Sequence, residues 1–484
     1  MNETLDHLIS VGFLKKGNIK TDSRRVNSGD VFVAIKGTAN DGHDYVAEAL
    51  AKGAAFVLCN RDVQGLSETD RGRILFVKDT REALGDTASR VYGDPSGELK
   101  VYGVTGTNGK TSTIFLIDGI LNKMGKPSGL ISTVFTKTAD DSIVRSSMTT
   151  PDVLSLNRLL SEMVAGWKQA AAVEVSSHAL DQKRIWGVKL DSAVFTNITP
   201  EHLDYHRDMV TYLSDKSRIF EYLKPGGIGV LNRDDPMVIG LKDKIDLPHL
   251  VTFGLGEEAD VRADNIILSA EGAEFDLVTK DIGTAHVKTP LIGRHNVYNI
   301  LAAITALVNS GLNADDMARG IEYASPVPGR LEAIDSAAPF RTFVDYAHTP
   351  NALENVLGCL RCLARDRLIC VFGCGGDRDK TKRPVMGQIA ADICDMVIIT
   401  SDNPRTEDPM DIISDIEKGV LNKSNYSIMG QRQDAIREAL GTAKDGDIVV
   451  IAGKGHEDYQ IIGDRVTHFD DREVAREVLK ELGY

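Results

Sequence analysis

The chain has 484 residues, room for about three domains at roughly 150 residues each. Hydrophobic side chains make up 42% and charged ones 26%, the balance of an ordinary globular protein, which excludes disordered, collagen-like and low-complexity readings. The 70 acidic residues outnumber the 56 Lys and Arg and leave a net charge of −14, a field that repels phosphate backbones, so nucleic acid is not expected as a partner.

Met1–Leu14 carries Glu3 and Asp6 and has no apolar run of leader length, and no run anywhere approaches the ~18 residues of a membrane span. No membrane insertion is expected, and a cytoplasmic location is. The first break in the chain is the turn-rich string Gly93-Asp-Pro-Ser-Gly97. Beyond it, the Val- and Ile-rich runs Val101–Thr107, Ala171–Ser176, Ala193–Ile198 and Ile228–Asn232 predict strands, and Lys110–Met124, Val153–Ala165 and Thr211–Leu223 predict helices. A second break is Ser325-Pro-Val-Pro-Gly329, whose prolines fit neither a helix interior nor a central strand. After it, Phe343–Tyr346, Leu368–Phe372, Met396–Thr400 and Ile448–Ala452 predict another strand series, each followed by a helical stretch. Strands alternating with helices make the fold class α/β, with domains at 1–97, 98–325 and 326–484. Of the six cysteines, Cys359 and Cys362 share a C-x-x-C spacing. No second such pair completes a zinc site, and both fall on a predicted helix over 351–365, so buried structural thiols are expected.

The sharpest local pattern runs from Val101 to Ser112, an apolar strand entering a glycine-rich turn and then a helix. Gly106 and Gly109 let backbone N–H groups converge on phosphate, Lys110 adds a charge, and Thr111 offers a hydroxyl to Mg²⁺, which predicts ATP or GTP binding. Val104 stands where the strict phosphate-loop pattern has glycine. Glu174, in Glu174-Val-Ser-Ser-His178, ends a strand expected beside the loop strand; it is either a Mg²⁺ ligand or a strand-end residue open to water. Glu201-His202 and His206 resemble a zinc-protease helix only until Leu203, where the required Glu is missing. His202 remains a metal or phosphate ligand candidate, and Lys216, from local pattern alone, is a solvated helix lysine.

Together these strings resemble the Mur ligase family of ATP-dependent peptidoglycan precursor synthetases, nearly end to end. Gly106-Thr-Asn-Gly-Lys-Thr111 is similar to the family's ATP loop, Glu174–His178 to its acidic strand end, and Asn197–His206 to its Asn-x-x-x-x-His-Leu-Asp-x-His segment. Gly293–Asn299, Val327–Glu332, Val344–Pro350, Gly373–Asp379, Asp402–Arg405 and Gly453–Glu457 continue the match. The resemblance implies three domains: an N-terminal UDP-MurNAc-binding domain, a central P-loop-type parallel-sheet ATPase domain, and a C-terminal Rossmann-like domain that binds an amino acid.

By the same resemblance, the cofactors are ATP and two Mg²⁺ ions. Lys110, Glu174, His202 and Lys216 would be catalytic, with Thr111, Glu174, His202 and a carbamate on Lys216 as metal ligands. ATP would touch Gly106, Thr107, Asn108, Gly109, Lys110, Thr111 and Ser112, and also Asn296, Asn299, Arg330, Asp345 and His348. UDP-MurNAc-L-Ala-D-Glu would meet Ser23, Thr38, Ala39, Asn40, Thr149, Thr150, Ser176, Gln182 and Arg184. The incoming amino acid, meso-diaminopimelate, would meet Arg378, Asp402, Asn403, Pro404, Arg405, Gly453 and Glu457. Carbamate formation requires Lys216 to lose its proton, so a pKa depressed by nearby cations is expected, while Asp215 beside it is expected to favour the charged amine.

The implied activity is amide ligation through an acyl phosphate, by a monomer, with the C-terminal domain closing to exclude water. Arg405 supplies a cationic fork for the distal carboxylate of diaminopimelate and Glu457 an acid for its amine. The alternatives are a family member that adds L-lysine, a folylpolyglutamate synthetase, and a P-loop ATPase with protein-binding modules.

Overall fold

The computed structural model describes residues 3–38, 40–139, 142–146, 148–322, 324 and 326–484. They pack as two compact units, Met1–Arg262 with Thr279–Ile282 and Leu301–Asn313, and Ala263–Val278 with Gly283–Ile300 and Ala314–Tyr484.

The first unit opens with a four-stranded sheet of β1 (Ile19–Lys20), β2 (Val31–Val33), β3 (Phe56–Cys59) and β4 (Ile74–Phe76), in that order and all parallel. Every residue of β2 is buried, as a parallel sheet covered on both faces requires. Leu5, Val31, Val33, Leu58 and Leu84 share one core with Val153 of the Val153–Ala165 helix, so this sheet is docked on the layer that follows.

That layer is built on β5 (Lys100–Thr105), β6 (Ser128–Ile131), β7 (Phe135–Lys137), β8 (Ile143–Arg145), β9 (Ala170–Glu174), β10 (Leu190–Phe195), β11 (Leu223–Asn232) and β12 (Leu250–Gly254). Their spatial order is β12-β11-β10-β5-β9-β6-β7-β8, parallel from β12 to β6 and antiparallel at β7 and β8. Val104 of β5 lies in register with Glu174 of β9, which places the acid beside the loop strand as expected. Strand β13 (Val261–Ser269) starts against β12.

In the second unit β14 (Gly272–Thr279) and β15 (Thr284–Thr289) form an antiparallel pair. The larger sheet there comprises β16 (Glu332–Ala333), β17 (Arg341–Asp345), β18 (Leu368–Phe372), β19 (Met396–Ile399), β20 (Tyr426–Ile428) and β21 (Ile448–Ala452). Its order is β16-β17-β21-β18-β19-β20, parallel except at β16. All residues of β18 and β21 are buried: Leu353, Met386 and Ile412 cover one face, Ile436, Leu440 and Val478 the other. This is the doubly covered α/β layer the strand series predicts. A hairpin of β22 (Tyr459–Ile462) and β23 (Arg465–His468) follows.

Three local expectations are corrected. The predicted helix over 211–223 is a Met209–Ser217 α-helix tightening into a 3₁₀ turn at Arg218–Tyr222, and Leu223 already belongs to β11. The turn string at 93–97 runs into a one-turn helix, Pro95–Glu98, started by proline at its first position. Cys362 is exposed and Cys359 only half-buried, because their helix, Pro350–Leu363, turns Leu353, Leu357 and Leu360 to the core instead.

Candidate active site

At the end of β5 the chain turns through 106–109 into the Lys110–Lys123 helix. Gly106 has φ +146° and Gly109 +84°, conformations open to glycine. A Cβ on Gly106 would also stand 1.9 Å from Thr196 Oγ1. Residues just beyond β10 hold the turn: Thr196 Oγ1 donates to the Asn108 carbonyl at 2.6 Å, and the Asn197 amide donates to the same oxygen at 3.0 Å while accepting from Asn108 N at 2.9 Å. Lys110 Nζ folds back onto the carbonyls of Gly106 (3.0 Å) and Thr107 (2.8 Å). Gly109, at the helix start, has no side chain to cap it, so the first-turn N–H groups stay available to an anion.

Glu174 is buried, which removes the reading of a strand end open to water. Its carboxylate accepts from Thr111 Oγ1 at 3.1 Å and from the backbone and hydroxyl of Thr133, each at 3.0 Å. Lys216 is equally buried, against the expectation of a solvated helix lysine. Its Nζ donates to the Gly106 carbonyl at 2.6 Å and stands 4.6 Å from the centre of the Tyr212 ring. Burial first, and the Lys110 charge second, push its pKa well below the usual lysine value, so desolvation leads where cations were expected to. Asp215 does not oppose this as expected: it pairs with His206 Nδ1 at 2.7 Å, and the carboxylates acting on Lys216 are Glu201 and Glu174. His202, at φ +55° and half-exposed, lies 4.0 Å from Glu201 and edge-on to His178. Among the described residues no three His, Cys, Asp or Glu side chains form a metal cage. The Thr111 hydroxyl and Glu174 carboxylate are nevertheless the hard oxygens, in an open set, that Mg²⁺ takes.

Next to Glu174 the structure joins the residues assigned to the nucleotide-sugar substrate. Thr150 Oγ1 donates to the Glu174 carbonyl at 2.8 Å and accepts from Ser176 N at 3.0 Å. Arg184 donates to the Thr150 carbonyl (3.1 Å) and to Gln182 Oε1 (2.9 Å), and the Thr149 and Thr133 hydroxyls lie within hydrogen-bond distance (3.1 Å). Ser23 is tied instead to Glu48 at 3.2 Å. Thr38 and Asn40 are exposed, and Ala39 lies outside the described residues. Arg81, which no sequence pattern marks, links that loop to this network by donating to the Lys36 carbonyl at 2.8 Å and the Gln182 carbonyl at 3.0 Å. Ser112 is half-buried on the loop helix.

The second unit holds the remaining candidates. Asp345, the last residue of β17, is buried and accepts from Leu331 N and Ala347 N, both at 2.7 Å. Burial lifts its pKa, against the pull of Arg330. Arg330 stacks 4.7 Å from the Tyr346 ring centre with its Nε lacking a partner among the described residues, and His348 Nδ1 meets the Tyr346 carbonyl at 2.8 Å. Asn299 Nδ2 donates to Asn296 Oδ1 at 3.0 Å. Asn403 donates to Glu457 Oε2 at 2.8 Å and accepts from Ile461 N at 2.9 Å. Burial, and then Asp402, raise the Glu457 pKa. Gly453 is at φ +120°, and a Cβ there would meet Asp402 Oδ2 at 2.6 Å. Pro404 is buried between Asn403 and Arg405. Arg405, at φ +54°, anchors Nη1 on the carbonyls of Gly376 at 2.8 Å and Asn403 at 3.4 Å, while its Nε and Nη2 meet no acceptor among the described residues. Arg378 stands apart from this cluster, exposed and bonded to the Asp377 carbonyl at 3.0 Å.

Three family descriptions match the chain: Mur ligase family, catalytic domain, at residues 17–92, Mur ligase middle domain at 104–307, and Mur ligase, glutamate ligase domain, at 329–455. The chain belongs to the Mur ligase family. It is 45% identical to the UDP-N-acetylmuramoyl-L-alanyl-D-glutamate--2,6-diaminopimelate ligase of Geobacillus kaustophilus, over 96% of this chain and 95% of that one. With the enzyme of the same name from Bacillus licheniformis it shares 43%, over 96% and 95%. A solved structure described by that enzyme name superposes with a TM-score of 0.70 at 32% identity, covering 96% of this chain and 95% of the other. The three-domain Mur ligase α/β fold expected from the sequence is therefore the fold of this protein.

Within each unit, residues beside the candidates escaped sequence reasoning. Thr133 carries two bonds to Glu174 from a loop with no motif, Tyr212 forms the wall of the Lys216 pocket, and Lys454 lies fully buried 3.8 Å from Glu457. For Lys454 a signal was present, a lysine between two glycines in Gly453-Lys-Gly455.

Proposed function

We propose that this Mur ligase joins meso-2,6-diaminopimelate to the D-glutamyl γ-carboxylate of UDP-MurNAc-L-Ala-D-Glu, using ATP, in cytoplasmic peptidoglycan precursor synthesis. The observation that carries the reading is the end-to-end 45% identity to a relative bearing that enzyme name. The domains we assign are 1–97 for the nucleotide-sugar, 98–325 for ATP and 326–484 for the amino acid, in a monomer.

In the reaction the γ-carboxylate attacks the γ-phosphorus of ATP and ADP leaves; the amine of diaminopimelate then attacks the acyl carbon and phosphate leaves. Negative charge builds on oxygen in both steps. Lys110, the uncapped N–H groups of its helix and the backbone of 106–109 are aimed where that charge develops, already held in place by Thr196 and Asn197. Thr111, Glu174, His202 and a carbamylated Lys216 would hold two Mg²⁺ ions, which neutralise phosphate charge when bound. The depressed pKa of Lys216 supports this assignment, since only the neutral amine adds CO₂. Thr149, Thr150, Ser176, Gln182 and Arg184, with Ser23 and the Thr38–Asn40 loop, orient the nucleotide-sugar. Asn296, Asn299, Arg330, Asp345 and His348 contribute to ATP binding.

Diaminopimelate, unlike lysine, carries a carboxylate and an amine on its distal centre. The unfilled N–H groups of Arg405 suit that carboxylate and Glu457 the amine, with Asp402, Asn403, Pro404 and Gly453 shaping the pocket and Arg378, exposed outside the cluster, as a further contact to the amino acid. Lysine would leave Arg405 unpaired and oppose it with an ammonium. The test is mass-spectrometric detection of ligation product from UDP-MurNAc-L-Ala-D-Glu, ATP and either amino acid. Product with diaminopimelate, and at least about a hundredfold lower kcat/KM with lysine, is expected. Equal use of both, or phosphate release without any acceptor, overturns the reading.

A further inference from the structure

At the opposite end of the strands that feed the phosphate loop, the first unit contains a cavity of about 460 Å³. Three ammonium groups line it, from Lys100 at the start of β5, Lys189 just before β10, and Lys224 near the start of β11. One carboxylate, Asp191, faces them. It is fully engaged: Oδ1 accepts from Lys100 at 3.0 Å, and Oδ2 from Val101 N at 2.9 Å and Lys224 at 2.5 Å. Lys224 also donates to the Leu99 carbonyl at 2.8 Å, and Lys189 reaches Asp94 at 3.1 Å. Three lysines against Asp191 and the Asp94 that Lys189 reaches leave one positive charge, in a protein whose net charge is −14.

The second observation is Tyr102. Its side chain stands on β5, is 4% exposed and lines the cavity, yet its hydroxyl has no hydrogen-bond partner among the described residues. The phenol lines a space large enough for a small ligand, to which its hydroxyl can donate. Pro225 and Ile228 supply an apolar wall. No arginine lines the cavity, so the planar fork that favours a lone carboxylate is missing. Separate ammonium groups and a phenol suit the three oxygens of a phosphoryl group.

We propose that this cavity binds a small phosphate monoester, its phosphoryl oxygens on Lys100, Lys189 and the Tyr102 hydroxyl and its apolar body against Pro225 and Ile228. The site is separate from the ATP site, since the six residues of β5 span about 17 Å between Lys100 and the loop. It does not depend on which amino acid the enzyme adds.

Phenyl phosphate, inorganic phosphate and benzoate titrated calorimetrically into the full chain test it. Phenyl phosphate is expected to bind wild-type protein and Lys110→Ala alike, more tightly than either other probe. A Lys100→Ala, Lys189→Ala double variant is expected to bind it at least about tenfold more weakly. Tyr102→Phe, which removes one oxygen and keeps the packing, is expected to weaken it several-fold with an unchanged melting temperature. Lys224 is left intact because it also ties β11 to Leu99. Lack of binding at millimolar concentration, loss of binding in Lys110→Ala with retention in the double variant, or benzoate binding as tightly as phenyl phosphate each overturns the proposal.

Discussion

The loop cluster of the first unit and the Asn403–Glu457 cluster of the second place charge under cover in opposite ways. Around the loop, two lysines converge on backbone: Lys110 and Lys216 both donate to the Gly106 carbonyl, and burial pushes the Lys216 pKa well below the usual lysine value. Around Asn403 an acid is the buried group. Glu457 is lifted by desolvation while Arg405 keeps part of its guanidinium unfilled. In the first arrangement the charges meet backbone carbonyls, and in the second they meet side chains. On the proposed function, phosphoryl chemistry would sit in the first and the choice of amino acid in the second.

The largest break in this contrast is expected from Lys110→Ala. Its ammonium meets only carbonyls of its own loop, so the fold should survive while ligation falls by about a thousandfold at saturating ATP. Substantial residual turnover would remove the loop from the catalytic centre. Lys216→Ala is expected to lose nearly as much and to recover part of it with added short carboxylates standing in for a carbamate. An unmodified lysine by mass, together with an active alanine variant, would refute the carbamate.

In the second unit Arg405→Lys keeps the charge and loses the fork, so kcat/KM for diaminopimelate should drop about ten- to a hundredfold with the KM for ATP unchanged. A parallel rise in the ATP KM would mean that the two clusters are not separable in this way. A smaller effect follows from Glu457. In the proposed site its ionised form would receive the diaminopimelate ammonium, and its pKa is raised by burial. The KM for diaminopimelate should therefore climb as pH falls through that raised value, at a higher pH than an ordinary glutamate would give. Glu457→Gln should flatten the profile. The least effect is expected from Asp215→Ala: it frees His206 rather than Lys216, so activity should change by less than about threefold, and a large gain in carbamylation would contradict the geometry.

Alternation of apolar runs and helical stretches determined the α/β class, the two strand series and the strand-to-helix phosphate turn, because parallel strands buried on both faces must be continuous apolar runs. The glycines of the loop were legible too, since φ values of +146° and +84° leave few other choices. The N-terminal strands of two to four residues were not, being too short to carry a period. Tertiary structure alone decided which charges are covered. Local pattern makes Lys216 a surface lysine, and only the packing of β5, Tyr212 and the Gly106 carbonyl turns it into a buried amine. Likewise Asp215, next to Lys216 in the chain, acts on His206, because consecutive helical residues point about 100° apart. Sequence neighbours fix what groups are present. Desolvation and charge depend on atoms brought from 110 residues away, and no local window contains them.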